Sequence, residues 1–380
     1  MDFSISDEQR LILDSVDRFV AQHLPPEEVR RRDRAHEPPD FLIPLMGEQG
    51  MLGLPFEERY GGSGHDWITV ALVQERLGYY AATAASLFST TVCFGGMSLM
   101  TYGSVAQREE YMPLLIKGRL RFALALTEPG AGSDAGALTT RGSPVDGGWR
   151  VNGRKTWISA ANVADFLVAA CRTVPGSKGN DGVSMLMIPR GTSGIHMTQL
   201  EKVGNNCLTS WDIAFDDVFV PRSALLGEDG RGFRHLMQTL HFSRAGQAAN
   251  VIGQCQAVVD MAVRHAKERV QFGQPIGRFQ VIQHRLADMQ TRVDLARLML
   301  YRLAWLIATG QRCRKEAAQA KLVASETLQY VVDHGMQILA SAGYSLDSDM
   351  QRIWRDSRLY TFGEGTSEIQ RNLIAREIGL

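Results

Sequence analysis

A glutamate between two glycines is the residue of this chain best suited to acid–base chemistry. Glu364 stands in the run Phe362-Gly363-Glu364-Gly365-Thr366. Flanking glycines remove steric cover, so a ligand can reach the carboxylate, and an apolar pocket would raise its pKa toward the range of a general base. The same pattern is typical of a loop carboxylate that is stabilised by the dipole of the following helix. The spacing alone leaves both interpretations open.

A glycine-rich run has the composition of a loop that holds a flat or anionic ligand. It reads Leu126-Thr127-Glu128-Pro129-Gly130-Ala131-Gly132-Ser133-Asp134 and follows a short apolar run. Glycines let the backbone approach a ligand, and the threonine and serine hydroxyls can donate to its oxygens. A surface turn is the alternative for such a run taken alone. The glycine spacing does not match a dinucleotide fingerprint, which disfavours a nicotinamide dehydrogenase of the usual fold.

Two further runs suit an aromatic ring and a phosphate. In Lys155-Thr156-Trp157-Ile158-Ser159 the tryptophan and the serine are two residues apart. On a strand they would share one side, where they could cover a ring and donate to its edge. A core tryptophan is the alternative. Arg269 follows a helical run that ends before Phe272-Gly273, so its side chain could meet a phosphate or simply complement the helix dipole.

Apolar periodicity divides the chain into three regions that would position these groups. Residues 1–119 have helical spacing, residues 120–229 contain short strand-like runs, and residues 230–380 are helical again. We therefore predict a mainly α protein with a middle β-domain. The domains would be an N-terminal helical domain (1–119), a middle β-domain (120–229) and a C-terminal helical domain (230–380).

Local signals predict where individual elements begin and end. Ser6-x-x-Gln9 and Ser367-x-x-Gln370 are expected to be capping boxes at helix starts. Asn152-Gly153 predicts a hairpin between two strand-like runs, because Asn and Gly tolerate positive φ. Gly310 and Gly343 are candidate ends of long helices.

The composition excludes several classes of protein. The 380 residues carry 41 basic and 41 acidic side chains, so a strongly basic nucleic-acid binder and a polybasic membrane anchor are disfavoured. The five cysteines lack the spacing of a zinc or redox motif and fit buried thiols in a reducing compartment, so no metal is expected. No apolar stretch approaches about 20 residues, and the N-terminus resembles no targeting peptide. We expect a cytoplasmic protein.

Taken together, these runs resemble the acyl-CoA dehydrogenase family of flavoproteins. The resemblance is carried nearly end to end, and the order and spacing of its motifs make chance coincidence very unlikely. The motifs are Asp2-Phe3-Ser4-Ile5-Ser6, Thr127-Glu128-Pro129-Gly130-Ala131-Gly132-Ser133-Asp134, Gly153-Arg154-Lys155-Thr156-Trp157-Ile158, Val218-Phe219-Val220-Pro221, Arg269-Val270-Gln271-Phe272-Gly273 and Glu364-Gly365-Thr366-Ser367-Glu368-Ile369-Gln370. The resemblance implies a small β-barrel or sheet domain in the middle, a C-terminal four-helix bundle, and usually a homotetramer, with a homodimer as the alternative.

The resemblance also implies a cofactor and roles for individual residues. FAD would lie between the β-domain and the C-terminal helices, with Arg269 and Phe272 partly serving a neighbouring subunit. Glu364 would be the base that takes the pro-R α-proton of an acyl thioester, while hydride leaves the β-carbon for the flavin. The implied FAD-binding residues are Leu126, Thr127, Gly132, Ser133, Trp157, Ser159, Arg269, Phe272, Gln280, Gln337, Thr366 and Glu368. The implied substrate contacts are Ser133, Arg244, Gly363 and Gly365.

Departures from the family pattern bear on the substrate. Gly363 stands where the family often has a tyrosine, which suggests a branched, cyclic or otherwise wide acyl group. Ala340-Ser341 replaces two glycines, and His241 replaces an acidic residue of the substrate segment. Some relatives carry the base on that earlier helix, but no carboxylate lies between His235 and Asp260, so Glu364 is the only candidate base.

Several alternatives remain open at this point. The thioester could be carried by CoA or by a carrier protein, because the stretch 297–302 is similar to dehydrogenases of secondary metabolism. A flavin monooxygenase or oxidase on the same fold, or a non-catalytic flavin scaffold, are weaker alternatives. The resemblance implies an electron-transferring flavoprotein as acceptor, although some relatives use oxygen. Acyl chain length is not determined.

Overall fold

The computed structural model describes residues 4–380, so Asp2 and Phe3 of the opening motif lie outside the described residues. The first region is helical. Ser6 accepts from the Gln9 N–H and the Gln9 side chain accepts from the Ser6 N–H, which confirms the first capping box. The helices are α1 (Asp7–His23), α2 (Pro26–Ala35), α3 (Leu42–Glu48), α4 (Trp67–Tyr80), α5 (Ala82–Ser89), α6 (Met97–Tyr102) and α7 (Val105–Ile116).

A π-helical segment, Thr90–Gly96, joins α5 and α6 into one long apolar run. The run Ala82–Tyr102 is long and apolar enough to cross a membrane, but 56% of it is buried inside the protein. At Gly96 a Cβ would lie 2.4 Å from the Phe56 ring, so other side chains pack directly on this backbone. The run is therefore a core helix of the first region.

The middle region is a sheet with its own apolar core. Most pairings are antiparallel, whereas β1 pairs with β4 in parallel. The strands run in the order β6-β7-β3-β2-β4-β5-β8, with β1 beside β4. Their bounds are β1 (Phe122–Ala125), β2 (Arg141–Val145), β3 (Gly148–Ser159), β4 (Phe166–Arg172), β5 (Val183–Pro189), β6 (Ile195–Leu200), β7 (Ser210–Pro221) and β8 (Leu225–Leu226).

The hairpin predicted at Asn152-Gly153 is wrong. Both residues lie inside the continuous strand β3, where the pairing with β7 shifts register between Val151 and Gly153. The Asn152 side chain accepts from the Asp217 N–H at 2.9 Å, so the unusual conformation tolerated by Asn-Gly serves a β-bulge. The hairpin that precedes β3 turns at Asp146-Gly147, an Asp-Gly pair.

The last region is helical and shares one apolar core with the first. Its longest helix packs backbone to backbone on α4, since a Cβ at Gly253 would lie 2.1 Å from the Glu75 carbonyl oxygen. A short hairpin of β9 (Val270–Gln271) and β10 (Gln274–Pro275) follows that helix. The helices are α8 (Gly232–Glu268), α9 (Gln280–Ala308), α10 (Arg314–Leu339), α11 (Ser341–Tyr344), α12 (Asp349–Ser357) and α13 (Ser367–Glu377).

One predicted helix end and one predicted helix start are displaced. Gly310, with φ +66°, follows α9 as expected. Gly343, however, lies inside α11, because α10 already ends at Leu339 and the chain turns at Ala340. Thr366, not Ser367, caps α13: the Thr366 hydroxyl accepts from the Ile369 N–H at 3.2 Å. The predicted second capping box was therefore one residue too late.

Candidate functional site

Glu364 lies in the loop that precedes α13, and its carboxylate meets α8. The Ser243 hydroxyl, on α8, donates to Glu364 Oε2 at 2.7 Å. Glu364 has φ +55° and Gly365 has φ +91°, so two successive residues adopt the left-handed conformation. That conformation costs a non-glycine residue roughly 1 kcal/mol, and the surrounding contacts must hold it.

Two buried side chains hold the backbone of this loop. Lys321, on α10 and 1% exposed, donates from Nζ to the Gly365 carbonyl oxygen at 2.8 Å. Gln370, on α13, donates from Nε2 to the carbonyl oxygens of Gly365 at 3.0 Å and Glu364 at 3.3 Å. Side chains of α10 and α13 therefore fix the backbone of the loop, and Ser243 of α8 holds the Glu364 carboxylate.

The surroundings shift the pKa of Glu364 upward. Burial of the carboxyl raises this pKa, and the Ser243 hydrogen bond and the cations of Lys321 and Arg244 oppose it without cancelling it. The residue as a whole is nevertheless exposed, so a ligand can reach it from solvent. A carboxylate with a raised pKa in a residue that a ligand can reach suits a general base.

Arg244 and Lys321 are the buried cations beside Glu364. Burial lowers the pKa of Lys321 to about 8, with Glu364 acting in the opposite direction. Arg244 is 6% exposed, and no carboxylate of residues 4–380 lies within salt-bridge distance of it. Its Nε has no hydrogen-bond partner among the described residues. Such an unpartnered buried donor is available to a ligand.

The glycine-rich loop 126–134 is anchored from behind and open in front. Glu128, 4% exposed, accepts from Lys155 Nζ at 2.8 Å and from the Thr139 and Thr140 N–H groups at 2.7 and 2.9 Å. At Gly130 and Gly132 no atom lies within 4 Å of where a Cβ would be. The loop therefore presents bare backbone to a ligand.

Trp157 is not a core residue. Its φ is +60° and its side chain is 57% exposed, at a point where the pairing of β3 with β7 shifts register between Lys155 and Ile158. The bulge breaks the strand alternation from which a shared side with Ser159 was predicted. An exposed indole could cover a flat aromatic ring, and this role stays a prediction of the family resemblance.

The remaining candidate cofactor residues lie at or near the ends of helices in the last region. Arg269 caps α8, and Phe272, on the turn between β9 and β10, is 93% exposed. Gln280 begins α9, and Gln337 is exposed near the end of α10. Thr366 and Glu368 lie at the N-terminus of α13, next to Glu364. Gly363, Gly365 and Thr366 are chain neighbours of Glu364. The structure adds Arg244, which lies on α8 beside Ser243.

Three residues of the site were missed from sequence: Ser243, Lys321 and Gln370. Lys321 had a detectable signal, because it lies on the same helical face as the buried Ala317, Ala324 and Leu328. A lysine on an apolar face needs a buried partner. Among residues 4–380, no group of three or more His, Cys, Asp or Glu side chains is placed to hold a metal ion.

Family models match almost the whole chain. The model described as "Acyl-CoA dehydrogenase, N-terminal domain" matches residues 6–119. The corresponding "middle domain" matches residues 123–218, and the "C-terminal domain" matches residues 230–379.

Curated relatives are similar over their full length. The chain is 37% identical over 379 residues to the probable acyl-CoA dehydrogenase YngJ of Bacillus subtilis, covering 100% of both chains. It is 34% identical over 372 residues to the caffeyl-CoA reductase-Etf complex subunit CarC of Acetobacterium woodii, covering 97% of this chain and 98% of that one.

Solved structures share the same fold. Butyryl-CoA dehydrogenase from Megasphaera elsdenii has a TM-score of 0.96 and 34% identity, with full coverage of both chains. PigA with FAD and proline has a TM-score of 0.95, 30% identity and full coverage. The prolyl acyl carrier protein oxidase AnaB has a TM-score of 0.95 and 28% identity, covering 99% of this chain and 100% of that one.

Proposed function

The chain belongs to the acyl-CoA dehydrogenase family, and from that premise we propose that it dehydrogenates an acyl thioester between its α- and β-carbons, with Glu364 as the base. It is an FAD-dependent oxidoreductase that acts on CH–CH bonds. The observation that carries the proposal is the Glu364 carboxylate, which Ser243 holds at 2.7 Å in a residue that is exposed to solvent. FAD, when bound, supplies the acceptor for the hydride that leaves the β-carbon, and the product is a trans-2-enoyl thioester.

The protein's part is to take the α-proton and to stabilise the charge that develops. Glu364 receives the proton on the oxygen that Ser243 leaves free. Within the described residues the backbone N–H of Glu364 donates to no acceptor, so it can donate to the thioester oxygen as in an oxyanion hole. Arg244, with its unpartnered Nε, supports a second polar contact with the substrate.

The FAD site draws on two surfaces of the chain. We assign the isoalloxazine ring and its phosphates to Leu126, Thr127, Gly132, Ser133, Trp157, Ser159, Thr366 and Glu368. The open backbone at Gly132 and the exposed indole of Trp157 support this assignment. We assign Arg269 and Phe272 partly to the cofactor of a neighbouring copy, which the 93% exposure of Phe272 in the single chain supports. We assign Gln280 and Gln337 to further positions around the cofactor.

The substrate we propose is an acyl-CoA with a branched, cyclic or otherwise wide acyl group, contacted by Ser133, Arg244, Gly363 and Gly365. The absence of a side chain at Gly363, the residue directly before the base, supports this. A carrier-protein-bound acyl or aminoacyl group is the second candidate, favoured by the likeness to the prolyl acyl carrier protein oxidase. A flavin oxidase or monooxygenase is the weaker alternative.

Partners and assembly follow from the same premise. We propose an electron-transferring flavoprotein as acceptor, supported by the relative named as a subunit of a reductase-Etf complex. We propose a homotetramer, or a homodimer, of chains with domains 1–119, 120–229 and 230–380. The five cysteines are all unpaired and buried, which supports a cytoplasmic location.

Anaerobic bleaching of the flavin tests the function directly. The holoenzyme is mixed without oxygen or reductant with butyryl-CoA, isobutyryl-CoA, cyclohexanecarbonyl-CoA or a prolyl-carrier protein. Bleaching by one of these thioesters is expected for the wild type and should be lost in Glu364→Gln, which keeps its FAD. If Glu364→Gln retains full turnover, the base assignment is wrong. A need for external reductant and oxygen would favour a monooxygenase.

A further inference from the structure

Ser243 is the residue that contacts the carboxylate of the proposed base. Its side chain is 2% exposed, and its hydroxyl donates to Glu364 Oε2 at 2.7 Å. Within residues 4–380 the Ser243 side chain makes this hydrogen bond and no other. By contrast, the Thr239 hydroxyl donates to carbonyl oxygens of its own helix. The Ser243 hydroxyl therefore donates its hydrogen bond to the Glu364 carboxylate and not to a backbone carbonyl oxygen.

The other contacts of the loop do not control the carboxylate. Lys321 and Gln370 donate to the carbonyl oxygens of residues 364 and 365, so they fix the backbone. A glutamate side chain has three rotatable bonds and would otherwise occupy several rotamers. The Ser243 hydrogen bond selects one of them and leaves Oε1 without a partner among the described residues.

The titratable groups that face Glu364 come from three elements. Arg244 lies on α8 beside Ser243, Lys321 lies on α10, and the Cys93 thiol lies on the π-helical segment. The two cations favour the ionised carboxylate, whereas burial opposes it. A hydroxyl that donates to the carboxylate stabilises the charged form and so acts on the same side as the cations.

We propose that Ser243 is a positioning residue for α-proton abstraction: it holds Oε2 so that Oε1 faces the substrate. The inference rests on the proposed function. The α-C–H bond breaks, its proton goes to Oε1, and the electron pair stays with the substrate. Ser243 keeps its own proton throughout.

Three variants of the FAD-loaded enzyme test the inference. Ser243→Ala removes the hydroxyl, and Ser243→Thr keeps it on a larger side chain. Ser325→Ala is the matched control, because Ser325 is 1% exposed on α10 and its hydroxyl donates to its own helix at Leu322. FAD content and melting temperature are measured for each variant, so that a loss of fold is recognised.

Two readouts separate positioning from a merely structural role. The first is the pH dependence of kcat/KM with the thioester that the wild type turns over fastest in the bleaching experiment. The second is the infrared carboxyl band that is absent in Glu364→Gln, titrated without substrate. Loss of a hydrogen bond to a charged group should raise the Glu364 pKa by about one unit and lower kcat about 10-fold. Ser243→Thr should restore both, and Ser325→Ala should change neither.

The outcomes distinguish this inference from the function on which it rests. If Ser243→Ala folds, binds FAD and leaves both the infrared titration and kcat unchanged, the positioning role is refuted while Glu364 can still be the base. If Ser243→Ala does not fold, Ser243→Thr decides: an unchanged Glu364 pKa with retained turnover supports the role, and a pKa raised as far as expected for hydroxyl loss refutes it. If Glu364→Gln remains fully active, the proposed function itself fails.

Discussion

Lys155 and Glu128 form an ion pair in which both side chains are buried. The Nζ–Oε1 distance is 2.8 Å, and the two side chains are 0% and 3% exposed. Lys155 also donates to the Leu126 carbonyl oxygen at 3.0 Å. The pair therefore ties strand β3 to the start of the loop whose open face we assign to FAD.

Removing one member of this pair should destabilise the protein strongly. Lys155→Met leaves the Glu128 carboxylate buried without its cation, and a broken buried pair costs about 3–5 kcal/mol. We expect a large loss of unfolding free energy in denaturant titrations and weaker FAD retention. The double variant Lys155→Met/Glu128→Gln should recover part of that loss. Equal stability of the wild type and the single variant would contradict this account of the loop.

Glu128 should also make stability depend on acid pH. Burial raises its pKa, but Lys155 and the hydrogen bonds from Thr140 and Thr139 outweigh burial and lower it from 4.5 to about 2. The ionised Glu128 therefore contributes its full share of the unfolding free energy above the pKa it has in the unfolded chain. That share is lost as the pH falls toward about 2. A shift of that size corresponds to about 3 kcal/mol. Denaturant titrations at pH 6 and at acid pH, about 2–5, should show this loss of unfolding free energy in the wild type. The loss should be smaller in Glu128→Gln.

The sequence predicted the fold class better than the local geometry of its elements, and the site residues stay predictions. Helical periodicity and alternating strand runs predicted the three regions, and the position of Glu364 between glycines predicted a reachable carboxylate. Asn152-Gly153 was misassigned because a bulge and a hairpin need the same tolerance of unusual φ, and only pairing with β7 distinguishes them. The choice of Thr366 over Ser367 as cap depends on the left-handed residues before it.

The contacts of Glu364 could not be predicted because they are long-range. Ser243 lies 121 residues from Glu364 in the chain, and Lys321 lies 44 residues from Gly365. Periodicity shows that Lys321 occupies a buried face, but it does not show which loop receives its ammonium group. Only the packing of α8, α10 and α13 brings these residues together.

Lys321→Met should change the pH dependence of catalysis. The Lys321 ammonium lowers the pKa of Glu364, so its removal should raise that pKa further. The acidic limb of kcat/KM should move to higher pH, and turnover at low pH should fall most. Lys321→Arg keeps the cation and is the control. An acidic limb at the same pH in Lys321→Met and the wild type would show that the charge does not act on the base.

Ala340 should be a point of relievable strain. It follows α10 with φ +50° and ψ −132°, a conformation that side chains rarely adopt, and it is exposed. Ala340→Gly should therefore raise the free energy of unfolding by about 1 kcal/mol. The same substitution at Ala21, an exposed residue within α1, should instead lower it by up to about 1 kcal/mol. Equal effects at the two positions, measured by thermal or denaturant unfolding, would contradict the strain.

One face of α9 should be the contact that holds copies of the chain together. Leu295, Leu298 and Trp305 are 56%, 48% and 49% exposed, and their spacing of three and seven places them on one side of the helix. Covering the apolar groups of such a stripe with a second surface lowers the free energy. We therefore expect Leu298→Glu and Trp305→Glu to lower the molar mass measured by light scattering after size exclusion.

Dissociation by these substitutions should also weaken FAD binding, because we assign Arg269 and Phe272 to the cofactor of a neighbouring copy. Leu11→Glu is the control, since it places the same charge on another exposed leucine, 68% exposed on α1. That variant should keep both the mass and the FAD of the wild type. A monomeric wild type that binds FAD fully would refute the assignment of Phe272. Dissociation without loss of FAD would refute only the link between assembly and cofactor binding.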